Sequence, residues 1–510
     1  MKNLPGKKNR QAQLFKIRAL KDHVIICGLG RKGLLLAEGF INEGNQVVVI
    51  ELDEGNDLIS RCREKGAIVM IGDAADEDLL KQSGIKQASY IISVCGDDKT
   101  NAKVAVKSRA LVEKNRNRIL NCIIHIINPR LFRLLLEREL EMSADKAFRL
   151  EFFNIFDLGA RACLSNFPPF DLSGLVNGCL PHLLIVGLGR LGENLLVQAA
   201  GNWNEGSPEL GQKLDITILD REAEDKIKSL QTEYPLLNKI CRLHPVKMEI
   251  NPSAFQTADF FLMPDKNCRF TSVYICLGHD SFGLAIALDL NHKLKQHSVP
   301  LIVCMAHQPD LGILLEESKI QNKDLAELHF FGWLDRTCIP GIIKNGTNEI
   351  LAQTIHEEYV RKQHQQGKTS QTNPAMVSWH LLPEALKESN RSQAGRVRDK
   401  LKHLGCGIAP LMTWGSPDLK FTPDEIERAA RREHQYWMEE RRSHGWKYSL
   451  NPKDIQEKTT PYLVPWDELS EEIKELDRDT VRNLPVLLAR AGFQIYRRKN
   501  PRKEEVYKDA

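Results

Sequence analysis

Two short apolar runs in this 510-residue chain each break off into nearly the same glycine loop. His23-Val24-Ile25-Ile26-Cys27 enters Gly28-Leu29-Gly30-Arg31-Lys32-Gly33, and His182-Leu183-Leu184-Ile185-Val186 enters Gly187-Leu188-Gly189-Arg190-Leu191-Gly192. Behind the first loop, Leu34 to Ala37 and then Phe40-Ile41 continue at helical spacing. A strand that passes through three such glycines into a helix has few folds open to it. The first glycine permits a tight turn, the second lets backbone approach a pyrophosphate, and the third lets helix and strand pack closely. The start of the helix then offers free N–H groups and the positive end of its dipole to an anion.

The residues downstream fit that use. The strand Gln46 to Ile50 ends at Glu51, with Asp53 just beyond. A carboxylate about 20 positions past the first glycine accepts hydrogen bonds from a ribose and repels a 2′-phosphate, which favours NAD or an adenosine ribose over NADP. Apolar runs at 67–71, 90–94 and 120–125 lead into Gly72-Asp73-Ala74-Ala75, Gly96-Asp97-Asp98-Lys99-Thr100-Asn101 and Asn128-Pro129. Strands alternating with helices specify a doubly wound parallel sheet, which binds ligands at the carboxyl ends of its strands. The fold class expected is α/β, with one Rossmann-like unit over 21–155 and a second over 180–345. In the second, the strand 215–219 ends at Asp220 after a longer connection containing NWNEGSPELGQK. No GDA follows its third strand, and Gly278-His279-Asp280-Ser281 replaces the DDxxN segment.

GLGRKG, VVVIELD and IGDAADEDLLKQSGIKQASYIISVCGDDKTNAKVA closely resemble the TrkA-N domain, the N-terminal lobe of RCK regulators of potassium conductance. The resemblance covers most of residues 21–150. It implies binding of NAD(H) or an adenine nucleotide (ATP, ADP or AMP) and control of a transport protein. It also implies that Gly28, Gly30, Arg31, Gly33, Glu51, Asp73, Ala74 and Asn101 line the nucleotide, with Asp53 a second candidate for the ribose. In the second unit the corresponding residues are Gly187, Gly189, Arg190, Gly192 and Asp220. There the loop can still hold phosphates, but the departures put the adenosine side in doubt.

Residues 1–20 read as a basic leader, and 346–374 as a helix followed by a polar linker, RKQHQQGKTSQTNP. From 375 to 500 the strand–loop–helix pattern stops and a smaller, mainly helical domain is expected. Thr422-Pro423-Asp424-Glu425 opens a helix with a capping box. The string from Ile426 to Tyr496 resembles a ryanodine-receptor repeat, the RyR domain, departing at Ser449 where a glycine is usual. Chemically, Trp437, Trp446, Tyr448 and Trp466 could stack a purine and Arg431, Arg432, Arg441 and Arg442 could hold phosphate, with His434 beside them. The same aromatics could equally form the core of a small domain.

Composition bounds the rest. Lys plus Arg number 71 against 67 Asp plus Glu, which gives no electrostatic case for nucleic acid. No apolar run reaches the roughly 18 residues of a membrane helix. The twelve cysteines contain no CxxC pair, so neither a metal nor a dithiol site is expected. No GxSxG, HExxH or Walker loop supplies a catalytic residue. The expectation is a cytoplasmic homo-oligomeric ligand sensor acting on a separately encoded ion channel or defence effector. An NAD-dependent oxidoreductase and a scaffold with vestigial sites are the alternatives.

Overall fold

The computed structural model describes residues 5–112, 118–141, 147–170, 180–206, 212–251, 261, 268–294, 296–306, 325, 327–411, 419–452, 454 and 457–497. The chain divides into two compact units, residues 1–346 and 347–510.

The first unit holds two six-stranded sheets. One comprises β1 (Val24–Cys27), β2 (Val47–Glu51), β3 (Ile68–Ile71), β4 (Tyr90–Ser93), β5 (Leu120–His125) and β6 (Phe148–Phe153), in the order β3-β2-β1-β4-β5-β6. The other comprises β7 (His182–Val186), β8 (Leu214–Asp220), β9 (Cys241–Lys247), β10 (Ser272–Ile275), β11 (Leu301–Met305) and β12 (Leu328–Gly332), in the order β12-β11-β10-β7-β8-β9. The orders correspond strand for strand, and every pairing is parallel. Each order reverses beside the strand that carries a glycine loop, which is where such sheets bind ligands. The strands are continuous apolar runs because helices cover both faces. Val24 and Ile26 of β1 enter the core on one face, and Ile25 and Cys27 enter the core on the other.

The two sheets exchange their last helices. After β6 the helix Ile155–Asn166 packs on Arg190–Gly206, the glycine-loop helix of the other sheet. After β12 the helix Trp333–Thr337 packs on Ile155–Asn166 and on Arg31–Asn42. Trp333 stacks at 5.3 Å on Phe156. The ring of Pro340 comes so near Gly39 that a Cβ there would meet it at 2.8 Å.

The basic leader is part of the fold. Pro5–Ala19 is a helix, and Ile17, with Leu14 and Leu20 at three-residue spacing, packs into the core beside Ile25.

The second unit is built twice over. In its later half Thr422 caps the helix Pro423–Ser443, with Glu425 returning the bond. Glu427 on that helix accepts from the Trp466 indole at 2.9 Å and from Arg478 Nε at 2.8 Å. His434 Nε2 lies 2.8 Å from the carbonyl of Val464. In the earlier half Glu349 accepts from the Trp379 indole at 3.2 Å and from Arg391 Nε at 2.7 Å, and His356 Nε2 lies 2.7 Å from the carbonyl of Val377. Each tryptophan opens a short 3-10 turn, Trp379–Leu381 or Trp466–Glu468. The helices Glu384–His403 and Glu471–Arg482 follow. Each half ends on a strand, Cys406–Pro410 or Phe493–Arg497, and the two strands pair antiparallel.

The helix expected at the start of this region runs to Gln365, and the polar stretch after it is exposed from Gln366 to Thr372. The helix Pro340–Gln365 kinks at Gly346 (φ 46°), and Glu349, Ala352 and His356 beyond the kink are buried.

His434 predicts a pH dependence. Burial pushes its pKa down, but the Asp477 carboxylate and the Val464 carbonyl outweigh this and raise it. The charged form therefore stabilises the fold fully below about pH 6.5, and that contribution is lost as pH rises through the raised value. Urea unfolding of the full chain at stepped pH should show this decline, and Asp477→Asn should flatten it. An unchanged slope in the variant would exclude the pair as its source.

Candidate functional site

At the first glycine loop, backbone geometry accounts for two of the three glycines. Gly28 sits at φ 95°, and a Cβ on it would lie 3.1 Å from the backbone of Cys95. A Cβ on Gly33 would lie 2.0 Å from the carbonyl oxygen of Gly28. Gly30 has neither constraint: a Cβ there meets nothing within 4 Å. It is the N-cap of Arg31–Asn42, and no side chain caps that helix. The N–H groups of the first turn therefore face open space, as an anion site requires.

Glu51 is bound into the loop. One carboxylate oxygen accepts from Leu29 N–H at 2.6 Å and the other from Asp53 N–H at 2.9 Å. Each oxygen keeps a further lone pair, so bracing the loop and receiving a ribose are compatible. Arg31 is exposed and makes no ion pair among the described residues. Asp53 and Asp73 are exposed and accept from the backbone of Gly55 and Ala75 within their own turns.

Two of the expected lining residues have buried side chains. The Ala74 side chain belongs to the hydrophobic core. Asn101 is fully buried, and all its hydrogen-bonding capacity is used. Its oxygen accepts from Ser93 Oγ and Cys95 N–H, and its amide donates to the carbonyls of Cys95 and His125. It ties the loop after β4 to the end of β5.

Lys32, within GLGRKG, was not singled out from the sequence. Its Nζ lies 3.3 Å from Nδ1 of His125 at the end of β5. Burial lowers the lysine pKa. Burial, and then the lysine itself, push His125 well below its ordinary range. A neutral imidazole accepting from the ammonium satisfies both.

The second loop repeats the frame and differs at the acid. Gly187 sits at φ 90°, a Cβ on Gly192 would lie 2.2 Å from the oxygen of Gly187, and Gly189 is open. Arg190 is exposed. Asp220 accepts from Leu188 N–H at 2.8 Å and Glu222 N–H at 2.9 Å, just as Glu51 does in its own loop. Lys226 then sits on both Asp220 oxygens, at 2.9 and 3.0 Å. Burial pushes the Asp220 pKa up, but these donors outweigh it and hold the carboxyl below its usual range. The lone pairs a ribose would use are already taken by a cation. Asp280 accepts from Ala306 N–H, as Asp98 does from Ile127 N–H, so the brace between these strands survives without the DDxxN segment.

Five of the six residues grouped in the C-terminal domain are linked by contacts, His434 to Trp437 and Trp466, and Arg441 to Trp437 and Trp446. His434 is buried, stacks on Trp437 at 5.7 Å and lies tilted against Trp466 at 5.8 Å. With the Trp466 indole on Glu427, these three are packing residues. Tyr448 is half exposed, at 51%. The Arg441 guanidinium lies between two rings, 5.8 Å from Trp437 and 4.9 Å from Trp446. Arg431 is held by Asp467 at 2.9 Å. Among the described residues there is no group of His, Cys, Asp and Glu placed to hold a metal, and no helix is long and apolar enough to cross a membrane.

Residues 24–147 match the TrkA-N domain and residues 422–497 the RyR domain. Over 98 residues the chain is 36% identical to Potassium channel protein 1 of Methanocaldococcus jannaschii, covering 19% of this chain and 29% of that protein. Over 99 residues it is 35% identical to Probable potassium channel protein 2 of the same organism, covering 19% and 28%. A Trk system potassium uptake protein TrkA homolog of Pyrococcus abyssi is 31% identical over 96 residues, 18% of this chain and 40% of that one. The match thus spans under a third of the length of the two M. jannaschii proteins. Among solved structures, the GsuK RCK domain aligns over 66% of this chain and 79% of its own at TM-score 0.40 and 12% identity. The GsuK channel bound to NAD aligns over 64% of each at TM-score 0.40 and 14% identity.

Proposed function

We propose that this chain, which carries a TrkA-N domain over residues 24–147 and a RyR domain over residues 422–497, is a nucleotide-sensing regulator of potassium transport. Its first Rossmann unit binds NAD(H) or an adenine nucleotide, and the occupied unit acts on a separately encoded potassium channel or transporter in the cytoplasm. One observation carries the reading. An uncapped helix start, an unobstructed Gly30 and an acid at the end of β2 stand together at the point where the strand order reverses. Gly28, Gly30, Arg31 and Gly33 would take the phosphates, and Glu51 the ribose. The names of the relatives, potassium channel and potassium uptake proteins, support the target.

The second Rossmann sheet of the first unit is a structural partner in this reading, because Lys226 occupies the position of a ribose on Asp220. The protein binds and does not turn over its ligand: Arg31, the exposed side chain at the loop, is neither a general acid nor a base at neutral pH. Calorimetry with NAD, NADH, ATP, ADP and AMP is the test. Binding of at least one in the micromolar to millimolar range, roughly −8 to −4 kcal/mol, is expected. Silence for all five would overturn the reading, and steady consumption of NADH with a carbonyl substrate would replace it with an oxidoreductase.

A further inference from the structure

The second unit contains a cavity of about 650 Å3 between its two halves. That is within the usual size of organic-ligand sites, about 300–1,000 Å3. Much of its wall is apolar: Ile355 and Val397 come from the earlier half, and Leu484 and Leu487 from the later. Val397 and Leu484 occupy corresponding positions in the two halves, so the cavity lies where the repeats face each other. Four charged side chains reach the wall. Glu358 is held by Arg361 and Arg490, and Lys362 stands 3.9 Å from it. Lys400, only 2% exposed, is paired with Glu433.

Arg441 is different. Its guanidinium lies 5.8 Å from the ring of Trp437 and 4.9 Å from that of Trp446. It makes no ion pair among the described residues, and its Nε is buried without a hydrogen-bond partner. The indoles meet the faces of the cation but satisfy none of its N–H donors. An N–H donor buried without a partner is costly, and an anion delivered to this partly buried guanidinium recovers that cost.

We infer that this cavity binds a small organic anion with an apolar body, its acidic group on Arg441 and its body along Ile355, Val397, Leu484 and Leu487. The site lies wholly within the second unit and does not depend on the nucleotide reading of the first loop. Neither His434, Trp466 nor Tyr448 belongs to it.

The test uses anilinonaphthalenesulfonate, an aromatic anion that fluoresces when desolvated, beside uncharged phenylnaphthylamine. Both are titrated into the full chain carrying Gly30→Asp, so that the first glycine loop contributes nothing. Saturable binding of the sulfonate is expected. Arg441→Gln should weaken it about tenfold, the usual worth of a charged hydrogen bond, and leave the uncharged probe within about a factor of two. Arg441→Lys should restore part of the loss. Gln393→Trp, which fills the cavity from the helix Glu384–His403, should weaken both probes. The inference fails if the sulfonate shows no saturable binding, or if Arg441→Gln weakens both probes alike in a protein that still melts normally. It also fails if Gln393→Trp leaves the sulfonate untouched, and this last result decides the matter should Arg441→Gln prove unfolded.

Discussion

Gly30→Asp is expected to abolish nucleotide binding while leaving the melting temperature within about 2 °C of the parent. The new side chain meets nothing within 4 Å, and the backbone at φ −80° suits any residue. An aspartate at an N-cap even satisfies the first-turn N–H groups and the dipole. That is also why it should be fatal to binding: the carboxylate takes the donors a phosphate needs and repels its charge. Gly33→Ala should behave in the opposite way. Its methyl group would sit 2.0 Å from the oxygen of Gly28, so strand and helix must separate, at a cost of about 3 kcal/mol or more. Gly189→Asp, in the loop whose acid is already occupied, should change the measured affinity little. Calorimetry and melting curves on the three variants separate these outcomes. Parental affinity in Gly30→Asp would exclude the first loop as the site.

The second large effect concerns the doubled C-terminal unit. Trp466→Ala and Trp379→Ala should each destabilise it by about 3–5 kcal/mol, the cost of deleting a buried tryptophan. Both rings are more than nine-tenths buried, and each donates to a glutamate that also holds an arginine. Removing the ring leaves that carboxylate short of a donor as well as opening a void. Urea unfolding of the full chain measures both losses. A cost below about 1 kcal/mol for Trp379→Ala would show that the earlier half is no true counterpart of the later one.

Much of the first unit was legible because its signals are local. A glycine whose neighbours leave no room for a Cβ, an acid closing the next strand and unbroken apolar strands depend on short spacings, and both sheets follow from them. The parts that stayed hidden depend on what polar groups meet across the fold. Asn101 was expected at the nucleotide from the family resemblance, yet it is buried with four hydrogen bonds that reach across the fold. Lys226 shares no sequence pattern with Asp220, since the contact spans a turn and the start of a helix. Lys32 lay inside the glycine loop itself, but nothing local says that its chain runs inward to His125. The earlier half of the second unit was read as a helix, a polar linker and part of a helical domain, not as a counterpart of the later half. Only scattered residues link it to the later half, notably Glu349, His356, Trp379 and Arg391 against Glu427, His434, Trp466 and Arg478. The aromatic residues of the later half were visible, but whether each faces a core or a cavity depends on what packs against it.

The exchange of helices between the two sheets bears on why a half with a blocked acid persists at all. Each sheet completes its outer layer with a helix that the chain supplies only after finishing the other's strands. Cutting the gene between them would leave Ile155–Asn166 with no Arg190–Gly206 to rest on, and Arg31–Asn42 without the cover of Trp333–Thr337. Neither piece should then be soluble by itself. Mutations can accumulate at Asp220 and its neighbours without penalty to binding. Loss of the second sheet as a whole would strip apolar surface from the helix that cradles the first site. The second sheet is thus bound to the first by architecture, whatever its own loop holds.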